Sequence, residues 1–310
     1  MTDQPSAWRS TGLHWESAVP TLTAAAHKAN GLVLADRVYA RPVTVGQRIG
    51  WALTGPRRCI GVWNGTRRIA CPTATPVPDN GTDAQCPACA AGDRGRALAR
   101  DATLGDDHRT YVLYLAWFGT KLLKVGLTAA DRGRDRLLEQ GAITATLLGT
   151  GPYTAVRRAE RAIAASGLAA ERISGRAKAD AWWALPAGEE RARQVRHART
   201  AVLTAPLPPD IASCDPQILD QATDFGLTEP VPDSYAELKA VIGSAVLAGT
   251  VRAVIGRRLV LQTPTGAILA DMRRIAGWQL TPTTTDLSTG LDLAPRNRPR
   301  DTDEDQPSLF

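Results

Sequence analysis

The chain has 310 residues, 44% of them apolar and 22% charged, an ordinary balance for a globular protein with room for roughly two domains of ~100–200 residues. No apolar run approaches the ~18 residues of a membrane span. The opening MTDQPSAWRS lacks the basic-then-apolar order of a secretion signal, so a cytoplasmic protein without membrane contact is expected. The formal charge of +6 is unevenly placed: residues 109–200 carry 16 Lys/Arg against 8 Asp/Glu, whereas residues 286–310 carry 3 against 6. A basic middle fits a polyanionic partner and fits a solvated helical surface equally well.

In chain order, residues 1–12 read as disordered. Residues 13–58 alternate apolar and polar in short runs, such as GLVLADRVYA, and predict strands. Cys59, Cys71, Cys86 and Cys89 then fall within 31 residues. The CPAC turn at 86–89 offers two ligands at close spacing, and a structural zinc site of four thiolates needs a second pair, here Cys59 and Cys71. A redox dithiol at Cys86 and Cys89 is the alternative, although no thioredoxin-like surroundings accompany it. Cys214 stands alone beside Asp215-Pro216 and is read as incidental.

Residues 111–128, YVLYLAWFGTKLLKVGLT, read as two apolar strands turning at Gly119. Helical segments are predicted near 129–140 and 154–166, with the strand-like AITATLLGT between them. A further helix is predicted over 188–204, with Ala192, Val195, Ala198 and Val202 at helical spacing. A Pro-rich connector follows. SYAELKAVIGSAVLAG is expected to be partly helical, and the next stretch to be a β-meander turning at Gly256-Arg257 and Pro264–Gly266. From about Thr281 the polar, Pro-rich chain predicts disorder. The expected class is therefore α+β, in these parts: a β-rich zinc-binding region over 13–105, a small mixed sheet with helices over 106–205, a connector over 206–234, a small β-rich segment over 235–282, and a disordered acidic tail over 283–310.

Polar groups gather at the end of the central hairpin. Tyr114 lies ten residues before Lys124, Gly126 and Thr128 follow, and Arg132, Arg134 and Arg136 come next. Glu160 sits in a segment that places Val156, Ala159 and Ile163 on one helical face. This order resembles the GIY-YIG nuclease superfamily over about residues 109–170. Tyr114 matches its first tyrosine, Lys124 stands where the family has its second, and Gly126 matches its glycine. Arg136 matches the family arginine by the residues after it, and Arg134 by distance from Gly126. Gln140 stands where many members carry histidine.

The resemblance implies phosphodiester chemistry. Tyr114 would act as base or position a water, an arginine would neutralise charge developing on the phosphate, and Glu160 would hold Mg2+ or Mn2+. Lys124 could act as a base only with its pKa lowered by several units from ~10.4; otherwise it would grip a phosphate in a silent version of the fold. Lys121, Arg132, Arg157 and Arg158 would form the flanking nucleic-acid surface. A second resemblance spans more of the chain. The cysteine-bearing front, the KVGLT core and the closing VIGRRLVL…DMRRIAG are similar to an uncharacterised bacterial family known only as a domain of unknown function.

The chain ends in QPSLF, which resembles the peptide by which bacterial replication and repair proteins dock on the sliding clamp, with Gln306, Leu309 and Phe310 as the matching residues. Three functions follow as expectations: a metal-dependent, structure-selective DNA endonuclease, a non-catalytic DNA- or RNA-binding adaptor using the same basic surface, and a zinc-stabilised scaffold without nucleic acid.

Overall fold

The computed structural model of the protein describes residues 7–27, 33–65, 67–99 and 108–299. Strands β1 (Ala7–Glu16), β2 (Val19–His27), β3 (Val33–Pro42) and β4 (Arg48–Thr54) lead into the cysteine segment, which adds β5 (Val62–Trp63), β6 (Arg68–Ile69), α1 (Pro87–Gly92) and α2 (Arg94–Ala99). The middle of the chain forms β7 (Thr110–Gly119), β8 (Leu122–Ala129), α3 (Gly133–Gln140), β9 (Thr144–Pro152), α4 (Tyr153–Ala165), α5 (Gly175–Ala181) and α6 (Gly188–Val202). The remainder is all strand: β10 (Ala212–Ser213), β11 (Ile218–Asp220), β12 (Ser234–Ile255), β13 (Arg258–Thr263), β14 (Gly266–Asp271), β15 (Gln279–Pro282) and β16 (Thr289–Asn297). The mixed, strand-rich α+β class expected above is what forms.

The large sheet runs β13-β14-β12-β4-β15-β1-β2-β3, with β16 also on β12. Its strands show the two-residue period of a half-buried surface: Ile49, Trp51 and Leu53 of β4 are buried while the residues between them are not. The organiser is β12. At ~3.3 Å per residue a straight strand of 22 residues would reach ~70 Å, so β12 must bend. The exposed stretch around Gly243, at φ +63, is where its register breaks. The first half pairs with β16 and, in parallel, with β14; the second pairs with β4 and β13.

Three expectations are corrected here. Residues 234–249, read as partly helical from their Ala, Leu, Glu and Lys content, are strand, because ladder partners on both sides override that weak propensity. Residues 7–12, read as disordered, belong to β1 and pair with β2 and β15. Part of the stretch expected to be disordered is strand: Thr281 and Pro282 end β15, and residues 289–297 of the acidic tail form β16, which pairs along β12 with Leu291 and Leu293 packed on the core. Residues 1–6 and 300–310, including Gln306, Leu309 and Phe310, lie outside the described residues.

The smaller sheet runs β10-β9-β7-β8 with β11 also on β9, so residues 212–220 of the expected connector extend it. The alternation of β7 divides the packing. Tyr111, Leu113 and Leu115 face α4, meeting Val156, Ala159 and Ile163. Tyr114, Ala116 and Phe118 face the other way, onto Leu137 of α3.

This sheet is not a separate domain. Leu138, Ile143, Trp182 and Trp183 share one core with Ile255, Leu259 and Leu269 of the large sheet. The backbones touch where the α3 C-terminus meets the β12–β13 turn. Gly141 caps α3 in the left-handed conformation, and Gly256, at φ +64, lies so close that a Cβ there would stand 3.0 Å from both the Glu139 carbonyl oxygen and Gly141 N. The Trp15 indole donates to the Gly256 carbonyl at 2.7 Å, bringing β1 to the same seam. Gly256→Val should therefore destabilise the fold by about 2–3 kcal/mol, combining left-handed strain in a β-branched residue with a backbone clash. A thermal melt reads this; an unchanged melting temperature would mean that the seam tolerates separation.

Candidate functional site

Two constellations stand out. The first is the cysteine cluster. The sulfurs of Cys59, Cys71, Cys86 and Cys89 all lie within 4.8 Å of one another, and all four residues are buried. Local geometry explains how distant positions meet. The β5–β6 hairpin folds back so tightly after Cys59 that a Cβ on Gly61, at φ +82, would overlap the Ile69 carbonyl. Cys86 caps α1, whose first turn carries Cys89. Backbone N–H groups of Gly61 and Cys86 donate to Cys59 Sγ at 3.3 and 3.2 Å, the surroundings a thiolate ligand favours. Asp93 closes the loop, accepting from Trp63 N, Gln85 Nε2 and Arg96 N. Four converging thiols can hold one metal ion. Cys214 is remote from the cluster in the fold, with its backbone N–H on Leu148.

The second lies at the seam. A cavity of about 270 Å³ opens between α3, α5 and the β12–β13 turn. Arg136, Lys178, Arg257, Arg258 and Arg273 line it, against two carboxylates, Glu139 and Asp271. Glu139 sits on the buried face of α3, its side chain 2% exposed. It pairs with Arg132 at 2.9 Å, Arg257 at 3.2 Å, Arg136 at 3.5 Å and the His14 ring at 3.8 Å. Burial pushes its carboxyl upward, but Arg257, the His14 ring, Arg132 and Arg136 outweigh burial and hold it well below the usual carboxylate range. Asp271 is also held low against burial, by Arg273, which donates to both its oxygens, and by Arg258, whose Nε lies 3.7 Å away.

Lys178 differs. Its ammonium donates to the Gln140 carbonyl at 2.9 Å and lies 3.6 Å from the Phe118 ring centre. No carboxylate among the described residues pairs with it. Burial first, then Lys124, Arg258, Arg136 and Arg273, push its pKa down to about 7.

The residues expected from the hairpin divide between the two faces of the smaller sheet. Tyr114 is buried, its hydroxyl accepting from Gln140 Nε2 at 2.6 Å. Lys124 Nζ lies 5.7 Å from the Tyr114 ring centre and donates to the Val125 carbonyl. Gly126, directly across from Tyr114, is required there, because a Cβ would stand 2.4 Å from the Tyr114 hydroxyl and 2.7 Å from Lys124 Nζ. Tyr114, Lys124 and Gln140 thus come together, and Arg136 reaches the adjoining cavity.

Glu160 does not join Tyr114. Its helix packs on the opposite face of the sheet, and its carboxylate is paired with Arg157 one turn earlier. Burial raises its pKa against the pull of Arg157 and Lys124. Arg134 turns away to Asp224. Nor do the four flanking cations make one surface. Lys121 occupies the exposed β7–β8 turn, Arg132 is spent on Glu139, Arg157 on Glu160, and Arg158 stands 3.9 Å from Asp210. The contacts do not gather all five: α4 packs under Leu113 and Leu115 on the face of β7 opposite Tyr114, Arg134 pairs with Asp224, and Lys124, beside the Tyr114 ring, also acts on Glu160.

The charged cavity residues missed in the sequence were Glu139, Lys178, Arg257, Arg258, Asp271 and Arg273. A signal existed: paired arginines at tight turns, GRR at 256–258 and DMRR at 271–274, between apolar strands.

Residues 46–280 match the family described as Protein of unknown function (DUF2797). The chain belongs to this family. The match runs from just before β4 through the cysteine cluster and the central sheet to β15, so this DUF2797 chain carries both constellations within its family region. No curated protein and no solved structure matches it. Among the described residues, no helix is long and apolar enough to cross a membrane.

Glu139→Gln should lower the unfolding free energy at pH 7 by about 3 kcal/mol, since it strips the shared counter-charge from the seam. The native carboxylate titrates below its unfolded value of ~4.3. Its contribution is therefore present above that value and drains as pH falls toward the native one. The gap between the urea midpoints of wild type and variant should hold steady from pH 7 to about 5 and narrow from there to pH 3 without closing; a gap independent of pH would show that shape rather than charge is what the site needs.

Proposed function

We propose that this DUF2797 protein binds nucleic acid through the cationic cavity at the seam, and that it grips phosphate rather than cutting it. The observation that carries this reading is the unbalanced charge around Lys178. Five cationic side chains from several separate elements face one cavity that holds two carboxylates, and the Lys178 ammonium has only a carbonyl and a ring for partners among the described residues. Such an arrangement is costly in isolation and favourable with a polyanion. Lys124 acts electrostatically on Lys178, which extends the cationic track from the cavity to the Tyr114 face. The placement of Glu160 behind the sheet, paired with Arg157, supports binding over metal-dependent cleavage.

Fluorescence anisotropy with labelled single- and double-stranded DNA and RNA tests the reading. Affinity should fall steeply from 50 to 200 mM salt, and Lys178→Gln should weaken binding by about tenfold, the worth of one charge-assisted hydrogen bond. No binding at 50 mM salt would dispose of it. Nicking of any substrate with Mg2+ or Mn2+, lost in Tyr114→Phe and Glu160→Gln, would replace it with the endonuclease expectation.

We further propose that the cysteine cluster holds structural Zn2+. The sulfur separations suit a tetrahedron of ~2.3 Å Zn–S bonds, and four thiolates leave no position for water. Arg57, fully buried, donates to the Pro78 and Gly81 carbonyls on the cysteine side and to the Ala276 and Arg273 carbonyls on the other, so the zinc loop would hold the turn that carries Arg273. Purified protein should contain one zinc per chain by elemental analysis. Cys86→Ser should lose it and unfold at lower temperature, whereas Cys214→Ser should keep it. Full occupancy in Cys86→Ser would refute the assignment.

A further inference from the structure

A strand lying on a basic face needs charge but not depth, and the seam has depth. Its cavity is lined by Trp182, which is 4% exposed and has Arg258 stacked 5.7 Å from its ring centre. Arg258 is itself fixed by a hydrogen bond to the Gly175 carbonyl at 2.8 Å, where the missing side chain matters: a Cβ on Gly175 would meet Arg258 Nη2 at 2.2 Å. Lys178 and the four arginines of the lining meet a cavity with only Glu139 and Asp271 to oppose them. Surplus cations around one cavity describe a compact, oxygen-rich dianion.

From this geometry we infer that the cavity takes the terminal phosphate monoester of a nucleic-acid strand, in preference to a phosphodiester within it. The inference rests on the nucleic-acid reading above and narrows it. A monoester offers three terminal oxygens and a charge of about −1.5 to −2 at pH 7, whereas an internal diester offers two free oxygens and a single charge. Five cations against two carboxylates leave a surplus that one diester does not neutralise. About 270 Å³ gives room for a phosphate with part of its sugar. The Lys178 ammonium, destabilised by burial and by Lys124, Arg258, Arg136 and Arg273, gains the counter-charge it lacks.

The test uses the full chain and one oligonucleotide sequence in three forms: 5′-phosphorylated, 3′-phosphorylated, and hydroxyl at both ends. At 150 mM salt, one phosphorylated form should bind at least tenfold tighter than the hydroxyl form, and which one identifies the end that is read. Lys178→Gln, checked for folding by its melting temperature, should weaken the preferred phosphorylated form more than the hydroxyl form, so that the ratio between them falls severalfold; an unchanged ratio overturns the inference. Equal binding of all three forms by wild type overturns the inference and leaves the nucleic-acid reading standing. Absence of binding to every form overturns both.

Discussion

One buried carboxylate holds the molecule's seam together. Glu139 lies on α3, yet its partners come from three places in the chain: Arg132 and Arg136 beside it, Arg257 from the β12–β13 turn, and His14 from β1. Desolvating a carboxylate is expensive, and only several cations at close range make it favourable to keep the charge. The price is specificity of placement, because three arginines packed around one acid can coexist only while the acid is there. The contact of Gly141 with Gly256 and the Trp15 hydrogen bond sit at the same junction. Backbone proximity brings the cations together, and the carboxylate makes their proximity tolerable.

The cavity follows from that constraint. Asp271 repeats the device on the far wall, holding Arg258 and Arg273. Between the two acids stands Lys178, pushed toward neutrality by burial and by its neighbours. The cationic excess is thus a consequence of two elements converging, each bringing one acid and more than one base. Arg57 ties the wall that carries Arg273 to the cysteine loop through four backbone carbonyls, so the cysteine cluster and the cavity are mechanically connected although chemically unlike.

What could be read from the residues alone depended on the range of the interaction concerned. The hairpin at 111–128, the helix read over 188–204 and formed over 188–202, the turns at Gly256 and Gly266 and the four-cysteine set depend on local period and spacing, and each forms. The bend of β12 did not show, because it depends on β16 and β4 arriving from far away in sequence. The order of β16 was missed for the same reason, since its ladder on β12 is long-range, whereas β1 forms a local hairpin with β2 that its polar composition concealed. Charge counting found the basic middle but not the site. Arg134, Arg157 and Arg158 pair with carboxylates outside the cavity, Arg132 shares Glu139, and the cavity joins Arg136 and Lys178 of the basic middle to three arginines from the C-terminal strands and turns.

The central sheet shows why an ordered set of residue types does not amount to a site. Tyr114, Lys124 and Gly126 are adjacent across one pair of strands, and their mutual fit is tight enough that Gly126 admits no methyl group. That much is dictated by strand register, which spacing in the sequence can encode. Glu160 depends instead on which side of the sheet α4 crosses, and the apolar residues decide that. Leu113 and Leu115 on β7, with Val156, Ala159 and Ile163 on α4, bury more surface together than any polar pairing could offset. The helix goes where its apolar stripe sends it, Glu160 goes with it to Arg157, and Tyr114 is left facing Gln140 and the cations of the seam.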